Sequence, residues 1–309
     1  MGLLSRFQIR DLEEFSGVKA HTIRIWEKRY SLLAPDRTDT NIRTYGIDDL
    51  KTILNVAYLN QQGVKISKIA ALTRTERERM VQEKALADTA GDNVIDTLKL
   101  AMLAFDEVLF ESASSRFREK HGFDQLVERI YVPLLELIGV LWQTSSICPA
   151  HEHFISNIIR NKLIAACEAV PLRSVPRPRT FILFLPDNEL HELGLLYVNF
   201  LLRSKGEHTI YLGQSVPLED LGNLAGTESR HHVFISILTT SPTVANVPTL
   251  VNELKEQLPP PYNSLWFTGQ QIATGERTEL PVGARHFSTV KELLAALKST
   301  KGDGSIIDP

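Results

Sequence analysis

Glu189 and His191 stand two residues apart in the segment Glu189-Leu190-His191-Glu192-Leu193-Gly194. An imidazole can give one ring nitrogen to a metal while a carboxylate holds the other nitrogen and so fixes the tautomer. Gly194 removes a side chain where a bulky ligand would need close approach. A second cluster lies upstream: Trp142, then His151-Glu152-His153 after Pro149. Those residue types at one helix end suit a ligand pocket, and equally suit core filling or a solvated surface. A third set is cationic and polar: Lys19, His21, Thr22, Arg24, Lys28 and Arg29, followed by Arg37, Asn41, Arg43 and Tyr45. Such a set suits contact with phosphates and base edges.

The elements that must position these residues are legible from periodicity. The Glu189 segment follows the apolar run 180–185, read as a buried strand, and precedes 195–205, read as a helix. Strand-like runs at 208–212, 233–238, 265–268 and 285–287 alternate with helical runs at 217–224, 244–257 and 290–298. This alternation predicts an open parallel sheet covered on both faces. The polar strand endings at 187–191, 213–215, 239–241 and 269–271 would then converge on one crevice. No G-x-G-x-x-G fingerprint is present, which argues against a nicotinamide or flavin dinucleotide enzyme.

Residues 94–105, 107–120, 123–142 and 150–170 are apolar at helical spacing, with short connections. They predict an antiparallel four-helix bundle whose third helix is kinked at Pro133. Residues 7–15 and 20–30 flank Ser16-Gly17-Val18, a helix-turn-helix pattern. Ile23, Ile25 and Trp26 are its inward candidates, and the polar face of the second helix would enter the major groove. A turn with Pro35, a wing through Arg37, Arg43 and Tyr45, and a helix at 50–62 ended by Gly63 complete this part.

The expected organisation is therefore multidomain, α and α/β. A winged helix-turn-helix spans 1–75, a charged linker 76–92, a four-helix bundle 93–175, and an open parallel, Rossmann-like sheet 176–300. Residues 301–309 read as a disordered tail. Residues 1–80 hold 14 Lys/Arg against 10 Asp/Glu, a net +4 that leaves −7 for the rest of a chain whose total is −3. The excess is modest, and its arrangement on one predicted helix says more than its size. No apolar run approaches the roughly 20 residues that cross a bilayer, so no membrane partner is expected. The start lacks a signal-peptide core, which points to the cytoplasm. Cys148 and Cys167 form neither a disulfide framework nor a zinc-site spacing.

Three resemblances sharpen this reading. Phe7-Gln8-Ile9 through Gly17-Val18, Thr22-Ile23-Arg24-Ile25-Trp26-Glu27-Lys28-Arg29-Tyr30, and the wing residues Pro35, Arg37, Arg43 and Tyr45 resemble the DNA-binding domain of the MerR family. That resemblance implies a dimer on a two-fold operator of double-stranded DNA. Glu189-x-His191-x-x-Gly194 resembles the cobalamin-binding motif of methionine synthase and the corrinoid proteins. It implies His191 as the lower cobalt ligand, with Ser236, Leu238 and Gly269 beside the nucleotide tail. Trp142 with Glu152-His153 resembles the element that encloses the adenosyl face of adenosylcobalamin in the light-sensing CarH and LitR regulators. The order of domains then implies a repressor that is not an enzyme. It would occupy its operator in darkness as a cofactor-loaded homo-oligomer, a dimer or tetramer, and leave it when light dissociates the assembly.

The sequence departs from these patterns twice. Gln270 stands where corrinoid proteins carry the second glycine of a pair. Gln143 stands where the light sensors carry the histidine that takes cobalt's upper face after illumination. An amide oxygen is a weak cobalt ligand, so no bis-histidine light state is expected unless His151 or His153 supplies the nitrogen. Two alternatives stay open at this point: a corrinoid methyl carrier, which shares bundle and sheet but lacks the reader, and a regulator with a decayed cobalamin pocket.

Overall fold

The computed structural model describes residues 6–38, 41–87, 93–143, 149–171, 179–225, 231–258, 263–273 and 284–299. Cys148, the end of the expected linker and the expected tail lie outside them. Two compact units result, and the division falls between Ile159 and Arg160.

In the first unit, α1 (Ile9–Ser16) and α2 (Ala20–Tyr30) meet at a turn in which Gly17 adopts φ 69°. That left-handed conformation closes a helix and costs glycine nothing. Strands β1 (Asp36–Arg37) and β2 (Arg43–Thr44) pair antiparallel as the wing, and Phe7 bridges Tyr45 beside it. Ile23 and Trp26 are buried as expected, but Ile25 is 52% exposed. At 100° per residue, position 25 points away from the face that 23 and 26 share.

The next helix, α3 (Ile47–Gln61), is buried at every position from Ile53 to Leu59. Two turns without a solvated face mean that neighbours surround it, and it packs on α1, on α4 (Ile66–Ala70), on α5 (Arg74–Ala87) and on α6 (Val94–Ala104). The charged run expected as a linker is thus largely the helix α5. Thr73 and Glu76 form a reciprocal capping box at its start: the Thr73 amide donates to Glu76 Oε2 (2.8 Å) and the Glu76 amide to Thr73 Oγ1 (3.3 Å). Arg74 pairs with Asp48 of α3 (2.9 Å), and Val81 is buried.

Reader and bundle are also joined by a buried lysine. Lys99 of α6 donates to the backbone carbonyl of Phe15 (2.9 Å) and pairs with Asp96 (2.7 Å). The carbonyl belongs to the last turn of α1, whose unpaired acceptors favour a cation.

The bundle continues with α7 (Glu107–His121), whose first turn is capped by Asp106 accepting from the Leu109 amide (2.9 Å). Then come α8 (Phe123–Leu126), a π turn (Val127–Tyr131), α9 (Val132–Gln143) and α10 (Pro149–Ala169). The irregularity expected at Pro133 takes the form of that π turn. A proline ring clashes with the carbonyl four residues back in an α-helix, and the wider turn just before it relieves the clash.

The second unit is a five-stranded parallel sheet: β3 (Arg179–Phe184), β4 (His208–Gly213), β5 (His231–Ile237), β6 (Asn263–Thr268) and β7 (Ala284–His286). Its helices are α11 (Leu193–Ser204), α12 (Leu218–Ala225), α13 (Val247–Gln257, preceded by a 3-10 turn), the short α14 (Gln270–Ala273) and α15 (Val290–Ser299). Spatial order is β4-β3-β5-β6-β7. Phe181, Leu183, Val233, Ile235 and Trp266 pack under α11 and α15, while Ile182, Phe184, Phe234, Leu265 and Phe267 face α12 and α13. Burial on both faces explains why these strands read as unbroken apolar runs. The order reverses between β3 and β5, and ligands bind such sheets at the carboxyl ends flanking that point.

Candidate functional site

His191 lies in the loop that leaves β3, at the reversal of strand order. Its Nδ1 lies 2.7 Å from Glu189 Oε1, and its own amide donates to the same oxygen (3.0 Å). The other oxygen, Oε2, accepts from the amides of Thr239 (2.9 Å), Thr240 (2.6 Å) and Ser241 (2.9 Å), in the loop that leaves β5. Glu189 is wholly buried while the His191 side chain is 57% exposed. Burial works against ionisation of Glu189, but the His191 ring and the amides of Ser241, Thr240 and His191 outweigh it. They hold the carboxyl far below the usual range. A permanent carboxylate keeps the proton on Nδ1 and places the lone pair of the neutral ring on Nε2.

The four polar strand endings do converge. Gln214 Nε2 donates to the Leu190 carbonyl (2.6 Å), the Asn188 amide to Ser215 Oγ (3.3 Å), and Gln271 Nε2 to the Thr239 carbonyl (3.2 Å). Gly269 has φ 116°, and a Cβ there would lie 2.4 Å from the Leu238 carbonyl oxygen. Only glycine lets the loop after β6 close on the loop after β5 in this way. Gly194 serves packing: its missing Cβ leaves room for Ile237, whose Cδ1 would lie 3.1 Å away. Leu238 is itself core, wholly buried among the residues of the α12–α13 face. Ser236 is wholly buried, and its hydroxyl has no hydrogen-bond partner among the described residues. Such a group is costly unless a ligand or water completes it.

These residues fit a corrinoid. Among the described residues no cluster of three or more His, Cys, Asp and Glu could cage a metal ion. A corrin brings its own nitrogen donors for cobalt, so one oriented imidazole would be enough from the protein, and a buried hydroxyl unpartnered among the described residues suits the nucleotide tail.

Glu192, directly after His191, was not singled out by the sequence. It is buried, accepts from Arg160 Nε of α10 (2.5 Å) and from the Tyr211 hydroxyl of β4 (2.8 Å). Burial, and then the bond to Glu192, push the Tyr211 hydroxyl well above its ordinary value, so it remains a donor.

At the start of α10, His153 Nδ1 lies 2.6 Å from Glu152 Oε2, with side-chain exposures of 70% and 31%. His151 is buried and stacks on Phe105 (centroids 4.7 Å, planes 17° apart). Burial and nearby Lys51 lower its pKa, partly opposed by a hydrogen bond to the Leu103 backbone. It is therefore packed into the bundle, where a metal-capturing ring would have to leave its place. The side chains of Trp142 and Gln143 lie outside the described residues.

On the reader, His21, Arg24, Lys28 and Arg29 of α2 are exposed, Thr22 is half-buried, and Arg29 lies over the Tyr30 ring (5.4 Å). Lys19 pairs with Glu13 (3.1 Å), and Glu13 also accepts from the Ala20 amide at the start of α2 (3.0 Å). Arg37 is exposed on the wing and bonds Asn41. Tyr45 is fully buried, so the expectation that it meets DNA gives way to a structural role. Its hydroxyl donates to Glu27 Oε2 (2.9 Å), and Arg43 Nε pairs with Glu27 Oε1 (3.0 Å). Glu27, a residue that carried no separate signal in the sequence, thus clamps the wing to α2.

Residues 7–76 match the family model of the MerR HTH family regulatory protein, and residues 94–166 match that of the B12 binding domain. The sheet unit contributes to a fold likeness with the monomethylamine corrinoid protein of Methanosarcina barkeri. The TM-score is 0.56 at 14% identity, covering 68% of this chain and 100% of that one. Reader, bundle and corrinoid-type sheet together define a cobalamin-dependent transcription regulator that binds DNA. The chain is 31% identical over 226 residues to the HTH-type transcriptional repressor CarH of Myxococcus xanthus, covering 70% of this chain and 73% of that protein. It is 28% identical over 222 residues to the repressor CarA of the same organism, covering 68% and 69%. It belongs to the CarH family of HTH-type transcriptional regulators. No helix among the described residues is long and apolar enough to cross a membrane.

Proposed function

We propose that the protein is a light-responsive repressor that takes adenosylcobalamin and, when loaded, assembles as a dimer or tetramer on a two-fold operator. It works by binding and release, with no catalysed turnover, in the cytoplasm. The observation that carries this reading is the His191 ring, held by a wholly buried carboxylate at the ligand end of the sheet, in a chain that begins with a MerR-type reader. His191 would offer Nε2, Glu189 would orient the ring and Ser236 would receive the nucleotide tail, while Trp142, Glu152 and His153 carry the resemblance to the element that encloses the adenosyl group. When bound, adenosylcobalamin supplies a cobalt–carbon bond that visible light breaks. Arg24, Lys28 and Arg29 meet the duplex from α2, with Lys19, His21, Thr22 and Arg37 around them. Assembly raises operator affinity by avidity, so its loss weakens every contact together.

The test combines absorbance, size-exclusion chromatography and operator gel shifts on protein loaded with adenosylcobalamin, in darkness and after green light. Loading should enlarge the assembly and tighten the gel shift at least ten-fold, and light should undo both. Operator affinity indifferent to cofactor and light would reject the reading.

A further inference from the structure

We infer that Glu192, clamped by Arg160 and Tyr211, is a positioning residue that sets the approach of His191 to cobalt. The inference rests on the cobalamin reading above and goes beyond it by adding a support on the opposite side of the ligand loop.

The ligand loop is short, and its two sides are held differently. Upstream, Glu189 fastens it to the loop after β5 through three backbone amides. Downstream, its hold on the fold runs through Glu192. The Glu192 amide donates to the Leu190 carbonyl (3.0 Å), and its carbonyl accepts the Leu196 amide of α11 (2.8 Å). Its carboxylate turns inward, with 6% of the side chain exposed, to Arg160 Nε and the Tyr211 hydroxyl. One oxygen faces each partner, so the carboxylate is fixed in rotation as well as position.

Arg160 comes from α10, two helical turns after His153 on the same helix. Tyr211 comes from β4, the strand whose following loop supplies the Gln214 contact to Leu190. His191 is therefore bracketed by two buried carboxylates, one tied to β5 and one to α10 and β4. A ring that must meet a metal along one line needs both: Glu189 selects the tautomer, and Glu192 fixes the backbone from which the ring projects. Groups that orient a metal ligand from outside typically change metal affinity about 10–100-fold when lost.

The test uses the full chain labelled with ¹⁵N and loaded with cob(II)alamin carrying natural ¹⁴N. In the electron paramagnetic resonance spectrum a histidine nitrogen on cobalt splits each line into a doublet, and the cofactor's own base into a triplet. Wild type should give the doublet. Glu192→Ala and Arg160→Met should lose at least half of the doublet intensity and weaken cobalamin binding about ten-fold. Tyr211→Phe should do the same more weakly and also serves should Glu192→Ala fail to fold. The Arg160→Met/Glu192→Ala pair should be no worse than Glu192→Ala alone, because the two act as a unit. Glu192→Gln, which keeps an acceptor for Tyr211, should recover part of the doublet. Full doublet and unchanged cobalamin affinity in both Arg160→Met and Tyr211→Phe would overturn the inference. A wild type that binds no cobalamin would overturn the functional reading and this inference with it. A wild type that binds with the triplet alone would remove His191, and hence its positioning, while leaving cobalamin binding in place.

Discussion

The chain contains two histidine–glutamate pairs of nearly equal length and opposite construction. His191 and Glu189 approach to 2.7 Å, His153 and Glu152 to 2.6 Å. Glu189 is wholly buried, and its oxygens take the amides of four residues; the Glu152 pair lies at the start of a helix and faces water. Distance alone does not separate them. A buried carboxylate with several fixed donors holds its charge and its rotamer whatever its partner does, whereas an exposed pair is worth little and rearranges freely. The first is built to keep a ring in place, the second to respond to what arrives beside it.

That contrast is sharpest under deletion of each carboxylate. Glu189→Ala leaves three neighbouring amides of the β5 loop without an acceptor, and we expect the second unit to lose about 3–5 kcal/mol, read by urea unfolding. Glu152→Ala should change stability by less than about 1 kcal/mol. Equal losses would erase the distinction. His191→Ala should leave the fold intact, because its ring is exposed, while the bound cofactor's spectrum shifts to that of its own base. A cobalamin spectrum unaltered by His191→Ala would take the ligand role from the built pair.

The exposed end gives a subtler prediction. With glutamine at 143, illuminated protein should release cofactor on dialysis, and Gln143→His should retain it several-fold longer. Equal retention would mean that His153, or His151 after leaving its stack on Phe105, captures the metal. In the reader, Arg24→Ala should reduce the salt dependence of operator binding by about one unit of slope. Arg43→Ala should reduce it less, since Arg43 is already engaged by Glu27. A full unit lost for Arg43 would restore it as a phosphate contact.

The smallest effect concerns His151. Burial keeps its folded pKa below 6.5, so the neutral ring contributes stability that is complete above that value and is lost as pH falls through the depressed pKa. Thermal melts of the first unit should therefore fall between pH 7 and pH 5, and His151→Phe should flatten that fall. A melt equally pH-sensitive in His151→Phe would place the titration elsewhere.

What the sequence made legible follows from the range of the interaction. The strands after residue 179 announced themselves because both faces are covered, and Glu189 with His191 because they are two residues apart. Contacts between distant segments left no pattern to read. Three of the four amides that hold Glu189 lie about fifty positions away, and Arg160 lies 32 positions from Glu192. Tyr45 looked like a wing contact because a tyrosine beside arginines suits DNA, and only the fold shows that its hydroxyl faces Glu27. Helix α5 was readable in principle: Thr73 and Glu76 carry the capping-box spacing, masked by the alternating charges that follow.

Lys99 bears on how such a reader measures DNA. Its ammonium closes the last turn of α1 from within the bundle, and α3 is enclosed where the two parts meet. A recognition helix on a flexible tether would accept half-sites over a range of separations. In the dimer proposed above, one seated on its bundle would accept only the separation that two bundles present, as a pair of callipers with fixed jaws reads a single width. Inserting half a helical turn of DNA between half-sites would then place the second helix on the wrong face of the duplex, with no slack in the protein to follow it.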